Sequence, residues 1–303
     1  MAQVRSHFPA NVDNVDKVIF SVAKTTMKKK APCWKPIFRI ESSDRKFERR
    51  VSMGMFTTVP EKSEGDDFVT QTIDQGFTKD FTALEFGLAF VHTQTAQEDD
   101  EYGVLAEKAR GLTMAAIVTE EQYAARLHNL ATSTETTPDA LAIYHASHLL
   151  VKGGTFTNRV LADLSRSSLE SAITLFHTDH KSDEGHFMEP SDGYILEVPP
   201  ALEFLAHRIV ASKLLQGVAD NDTNALRDRY SIDVAVNPYF SDTDSWRVVS
   251  KGKNHGLLSY TRVPMNVEPV VKDPYNNNLI SKIRFRRSWG ADRAQGIVGS
   301  VGV

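Results

Sequence analysis

Gly193-Tyr-Ile-Leu-Glu-Val-Pro-Pro200, then Ala201–Leu215, then Ser231-Ile-Asp-Val-Ala-Val-Asn-Pro-Tyr-Phe240 and Ser245-Trp-Arg-Val-Val249 decide how this chain reads. Tyr194–Val198 is a strand-forming run stopped by two prolines, which cannot donate to a ladder. Ala201–Leu215 carries apolar residues at helical spacing. The next strand ends at Asn237-Pro238-Tyr239, a turn composition, and Trp246 follows Ser-Asp-Thr-Asp-Ser as a plug beneath a turn. Glu197, at a strand end, is expected to face solvent. Strand, packed helix and second strand make a rigid module with no catalytic pattern in it. Glu197, Glu203 and Asp233 lie in or near it, but no second carboxylate stands at a spacing for acid–base work.

The rest of the chain supplies no chemistry in its place. Phosphate-loop, dinucleotide-binding, nucleophile-elbow, His-Glu-x-x-His and Cys-x-x-Cys patterns are all missing from the 303 residues. No enzyme, cofactor or metal is therefore expected. Composition is that of a soluble globular protein, 41% hydrophobic and 24% charged. No run approaches the roughly 18 apolar residues of a membrane span, and the first residues lack the apolar core of a secretory signal. The single cysteine, Cys33, rules out an intrachain disulfide, fits a reducing compartment and reads as a buried or idle thiol.

Charge is unevenly spread. Residues 1–50 hold 12 Lys and Arg against 5 Asp and Glu, whereas the remainder holds 23 against 34. This is a basic arm on an acidic body. Pro9, Pro32 and Pro36 interrupt periodicity over residues 1–36, so an extended arm is expected, with one short helix near Val15–Thr26. Lys28-Lys29-Lys30, followed by Ala-Pro-Cys-Trp-Lys-Pro-Ile, reads as an extended strap. Such an arm is either solvated or docked on an acidic neighbour; nucleic-acid binding is the third reading.

Ile37–Val91 reads as β. Phe47–Val59 and Phe68–Ile73 alternate like strands around Pro60–Asp67, the composition of an exposed hairpin tip. A hairpin this long cannot bury itself and must lie on something else. Glu98–Ala131 is predicted helical: Tyr102, Leu105, Ala109, Leu112, Ala116, Tyr123, Leu127 and Leu130 form one stripe. About thirty residues make a helix roughly 45 Å long. Pro138–Leu150 and Asn158–His177 are read as helices and Lys181–Pro190 as a loop. Leu257–Val263 and Leu279–Arg287 are read as strands, the second with Lys282, Arg284 and Arg286 opposite Ile283 and Phe285.

The histidines offer one metal-site reading. His177, His180 and His186 could supply three ligands to a zinc ion, as a metal-dependent hydrolase would require. They equally suit a helix end, where an imidazolium meets the helix dipole. The pair His145 and His148 is read as structural. Phe176, Tyr194, Tyr239, Phe240 and Trp246 are read as core in preference to a base-stacking platform.

In this order, a basic arm, a polar-tipped hairpin, a long helix, an α/β region with Val198-Pro199-Pro200 and Asn237-Pro238-Tyr239…Trp246, and a final β return, the chain resembles the major capsid proteins of tailed bacteriophages with the Hong Kong 97-type fold. It looks closest to the group typified by the Mu-type head subunit. The resemblance implies an α+β fold divided into an N-terminal arm (1–36), an extended loop (37–93, tip 60–67), a peripheral domain with a long spine helix (94–134 and 263–303) and an axial domain (135–262). It implies self-assembly in the host cytoplasm, as hexamers and pentamers, into the icosahedral head of a virion. The shell would enclose double-stranded DNA without tight sequence-specific binding. It also implies a separate scaffolding protein, since no fused scaffold segment is seen, and a portal; no membrane is involved. Nothing identifies a cross-linking lysine–asparagine pair. The expected inter-subunit contacts are Lys28, Lys29 and Lys30 of the arm, Glu61, Lys62, Glu64, Asp66 and Asp67 of the tip, and Arg284 and Arg286. An encapsulin-type nanocompartment shell is the rival of the same fold.

Overall fold

The computed structural model describes residues 8–29, 32–54, 56–93, 95, 104–188, 193–213, 223–252 and 254–302. In chain order the elements are α1 (Phe8–Lys29), β1 (Arg39–Ser42), β2 (Phe47–Met53), β3 (Gln75–Thr82), β4 (Leu84–His92), α2 (Val104–Asn129), β5 (His148–Leu149), β6 (Thr155–Phe156), α3 (Arg166–Thr178), β7 (Tyr194–Val198), α4 (Glu203–Ala211), α5 (Ala225–Arg229), β8 (Ile232–Val236), β9 (Trp246–Ser250), β10 (Leu257–Lys272), β11 (Leu279–Ala291) and β12 (Ile297–Ser300). A first sheet has the order β1-β10-β11-β4, a second the order β12-β9-β7-β8, and β2 with β3 forms a separate two-stranded ribbon.

The first sheet is built on the long hairpin of β10 and β11. Its register shifts at three places, and the second and third, between Val263 and Asn266 and between Glu268 and Val271, span Pro264 and Pro269. Each proline lacks the N–H a regular ladder uses. Parallel β1 covers only Leu258–Thr261 on the other side of β10. Beyond that point β10 is an edge, where prolines are tolerated. Along β11 the predicted alternation holds: Leu279, Ile283 and Phe285 are buried, while Lys282 and Arg284 are exposed.

Helix α2 joins two cores. Its Ala109, Leu112 and Ala116 pack with Val267, Leu279, Ile283 and Phe285 of the first sheet. Further along, Ala124 and Leu127 belong to a second cluster with Trp34, Ile37, Tyr144, Val249, Leu257 and Ile297. The predicted stripe thus exists, and the helix is about 39 Å long at 1.5 Å per residue. Predicted residues 98–103 lie outside the described residues. The third core holds α3 and α4 against one face of the second sheet, with Leu169, Ile173 and Phe176 on Tyr194, Leu196, Val198, Trp246 and Val248. Trp246 is the expected plug, fully buried, its Nε1 donating to Ala162 O at 3.0 Å.

Several expectations are corrected. The arm is no extended strap. It is a 22-residue helix whose Ile19, Ala23 and Thr26, at i, i+4 and i+7, are buried in the groove beside α2. Lys28 and Lys29 occupy its last turn, where the helix dipole favours positive charge; Lys30 lies outside the described residues. Cys33 is exposed, which removes the buried alternative of the thiol reading. Pro138–Leu150 is not helical: Asp139 accepts from Leu141 N and His148, and Thr137 N bonds Leu141 O, so side chains compete with a helical backbone. The helix expected from Asn158 begins only at Arg166. Asn158 is tied to Ile143 O and Ala294 O, Val160 N to Gly299 O, and a capping box between Ser165 and Ser168 starts α3. Phe68–Ile73 has strand composition but no paired strand, because the ribbon's ladder ends at Met53 and Gln75. Strand β10 begins at Leu257, and β12, near the C-terminus, lies in the second sheet.

At Gly299 of β12 an added Cβ would lie 2.2 Å from Cζ of the fully buried Tyr144. Gly299→Ala is expected to destabilise the protein by about 1–3 kcal/mol through overpacking, read as a lower urea midpoint at unchanged m-value.

Candidate assembly surface and the buried hub behind it

Glu197 faces the interior, against expectation. On β7, Tyr194, Leu196 and Val198 face the α3 core, which turns Ile195 and Glu197 to the opposite face. On β9, Trp246 and Val248 face that core and turn Arg247 the same way. Glu197 and Arg247 are direct cross-strand partners. The opposite face is not solvated, because the segment Trp34–Phe38 and the end of α2 cover it. Both side chains are fully buried and form an ion pair. The Asn237 amide donates to Glu197 Oε1 at 2.7 Å. Phe38 and Phe240 flank the guanidinium at 5.9 and 5.7 Å. Burial opposes the Arg247 charge, but Glu197 and Tyr144 outweigh it and raise its pKa.

Around this pair the polar groups are linked. Tyr144 Oη and His128 Nδ1 are 2.7 Å apart, and His128 stacks on Phe240 at 3.9 Å. Burial, then the Arg247 charge, pushes His128 well below its ordinary range and keeps it neutral. Asn129, at the end of α2, donates to Tyr239 O and accepts from Ser241 N, both at 3.0 Å. The Asn237-Pro238-Tyr239 turn is thus fastened to the helix. Phe176, Tyr194, Phe240 and Trp246 are buried, as expected for core, whereas Tyr239 is only half-buried.

The histidines do not converge. His177 Nε2 lies 3.2 Å from Tyr194 Oη and 3.3 Å from Tyr230 Oη. His180 is buried and accepts from Gly296 N at 3.1 Å; its pKa is pushed down to about 3 by burial and then by the nearby His148. His186 donates from Nε2 to Phe56 O at 3.0 Å. Among the described residues no group of three or more His, Cys, Asp or Glu side chains is placed to hold a metal ion, so the hydrolase reading loses its site. His148 instead pairs with Asp139 at 2.7 Å. Burial alone would raise the Asp139 carboxyl, but hydrogen bonds from His148 and Thr137 hold it at about 2.

The outward surface is the ribbon. Beyond the last ladder pair its arms are joined by Gly54 N to Asp74 O at 3.2 Å, and by Thr57 N and Oγ1 to Gln71 Oε1 at 3.1 and 3.0 Å. Along the two arms Met53, Phe56, Val59, Phe68, Val69 and Ile73 are exposed, Val59 at 93% and Phe68 at 85%. Glu61, Lys62, Glu64, Asp66 and Asp67 are exposed at the tip, and Lys62 stands 5.0 Å over the Phe68 ring. Arg284 is paired within the chain to Glu85 at 2.6 Å, and Arg286 lies 3.7 Å from the same carboxylate. Among the described residues no helix is long and apolar enough to cross a membrane.

Solved structures share this arrangement. A chain in the capsid structure of cyanophage P-SCSP1u superposes with a TM-score of 0.61 at 11% identity, covering 90% of this chain and 89% of that one. One in the mature capsid of bacteriophage PhiM1 gives 0.57 at 12%, covering 88% and 86%. The virus-like particle from Pyrococcus furiosus gives 0.53 at 9%, covering 94% and 98%. These likenesses show the fold, the Hong Kong 97-type. A sequence model of the phage capsid protein family matches residues 76–300, and the chain belongs to that family. It is a structural protein, a phage major capsid protein, and the family match favours this over a nanocompartment shell. No curated protein sequence matches the chain.

Two predictions test the interior. Glu197→Gln leaves a buried guanidinium without its counter-charge and is expected to cost about 3–5 kcal/mol. Replacing both partners by apolar residues of similar size should cost less than that single change; denaturant unfolding of the two variants reads the difference. The Asp139 carboxyl is depressed in the folded state. Its contribution is therefore present above the unfolded value near pH 4 and lost as pH falls toward 2. Asp139→Asn should remove on the order of 2 kcal/mol of stability at neutral pH and flatten the stability profile between pH 4 and 2.

Proposed function

We propose that this subunit assembles as hexamers and pentamers into an icosahedral head around double-stranded DNA, within the host cytoplasm, with a separate scaffolding protein and a portal as partners. The observation that carries this reading is the ribbon, a two-armed projection with six large apolar side chains turned to solvent. Exposed apolar area of this kind marks an interaction surface, and in a protein built to contact copies of itself the neighbour is the natural cover.

In this reading α1 is the arm and residues 37–93 the extended loop, with its projecting part between β2 and β3. The peripheral domain is built on α2 and the first sheet, and the axial domain on the second sheet with α3 and α4. Lys28, Lys29 and Lys30 meet acidic surface of a neighbour, as do Arg284 and Arg286 where Glu85 leaves them accessible. Glu61, Glu64, Asp66 and Asp67 give the tip the opposite sign, with Lys62 among them, so contacts of tip with arm are electrostatically matched. The formal net charge of −4 suits a container that does not grip its contents, since a strongly basic lining would hold DNA by counterion release.

Deleting Pro60–Asp67 should leave the circular dichroism spectrum and melting midpoint of the subunit unchanged while abolishing closed particles in negative-stain micrographs. A deletion variant that assembles like the parent would overturn the draped-ribbon account.

A further inference from the structure

Two cations face each other on one rung of the ribbon. Arg50 of β2 and Lys79 of β3 are direct cross-strand partners. Directly opposed residues project from the same face of a ladder, and like charges so placed are destabilising. Each is offset by a different part of the chain. Arg50 pairs with Glu41 and donates from Nε to Tyr260 Oη at 2.6 Å, which fixes it to the first sheet. Lys79 donates from Nζ to Thr136 O at 2.9 Å and to Thr136 Oγ1 at 3.0 Å, in the loop that follows α2. The next rung, Arg49 with Asp80, is an ordinary exposed ion pair at 2.7 Å.

The ribbon is held close on that side. A Cβ on Gly76 would stand 3.0 Å from Val151 Cγ2 as well as against Ser52 of the opposing strand. Farther out, His186 donates to Phe56 O. Burial lowers the Lys79 pKa, and the charges of Glu135 and Asp139 only partly offset this. A lysine is thus kept half-buried opposite an arginine to make two hydrogen bonds, an arrangement that a ribbon free to swing would not need.

We propose that the Arg50–Lys79 rung is the clasp that aims the ribbon, pinning it to the first sheet on one side and to the Thr136 loop on the other, so that the tip leaves the body in one direction. Lys79 is a positioning residue, acting through Thr136. The assembly role rests on the function proposed above; the clasp itself is a property of the single subunit. The exposed Cys33 and Glu64→Cys provide two sites for spin labels on body and tip.

The experiment measures the Cys33-to-tip distance distribution by double electron–electron resonance on unassembled subunits. In the parent it should be narrow. Lys79→Met should broaden it about twofold, and Lys79→Arg, which restores a donor, should narrow it again. His186→Leu, an independent change outside the rung, should broaden it less. An unchanged width in Lys79→Met overturns the clasp, whatever His186→Leu does. If the parent forms closed shells, Lys79→Met should give a several-fold lower yield of them, and an equal yield overturns the assembly role. Absence of shells from the parent even when co-expressed with its scaffolding protein counts against the container reading, while the distances still decide the clasp.

Discussion

The Glu197–Arg247 pair is the constraint around which the rest of the molecule is arranged. Two opposite charges at the centre of a sheet are tolerable only if water is excluded evenly and every remaining polar valence is met. The strand module cannot do this alone, since α3 and α4 cover only its other face. The cover comes from far away in sequence: Trp34–Phe38, Tyr144 and the last turn of α2. Because those pieces also build the second core, the charge pair ties the order of the chain to one arrangement. Its geometry rewards the correct cover and penalises a shifted one.

The same arrangement separates what the chain satisfies by itself from what it leaves open. α1, which the proline pattern suggested would hang free, is packed in the groove beside α2. The ribbon base is held at Arg50 and Lys79. Past Met53 and Gln75 the arms carry aromatic and β-branched side chains with few cross-arm bonds and no sheet beneath them. The ribbon arms thus carry one cluster of exposed apolar side chains, beside others on the body such as Phe204 and Tyr275.

Much of this was legible in the sequence where one local rule acted alone. The stripe from Ala109 to Leu127 gave the long helix, the alternation around Ile283 and Phe285 gave β11, and the double proline gave the end of β7. The order of these pieces gave the family. Rules failed where tertiary contacts overrode them. Asp139 and Thr137 drew backbone groups away from a helix that apolar spacing alone predicted. Ile19, Ala23 and Thr26 are too few for a pattern until α2 is there to receive them. Glu197 reads as solvent-facing from its place at a strand end, and nothing local announces that Trp34 will close the other side. Opposed cations such as Arg50 and Lys79 are visible only once register is known.

Helix α2 is clamped in the first-sheet core at Ala109–Ala116 and in the second core at Ala124–Leu127, with Asn129 bolted to the Tyr239 turn. No loop intervenes between the clamps. A torque applied through one sheet is therefore carried to the other along a single column of backbone hydrogen bonds, with no joint at which it can dissipate. That shared helix leaves the two sheets no hinge along α2 through which to shift independently.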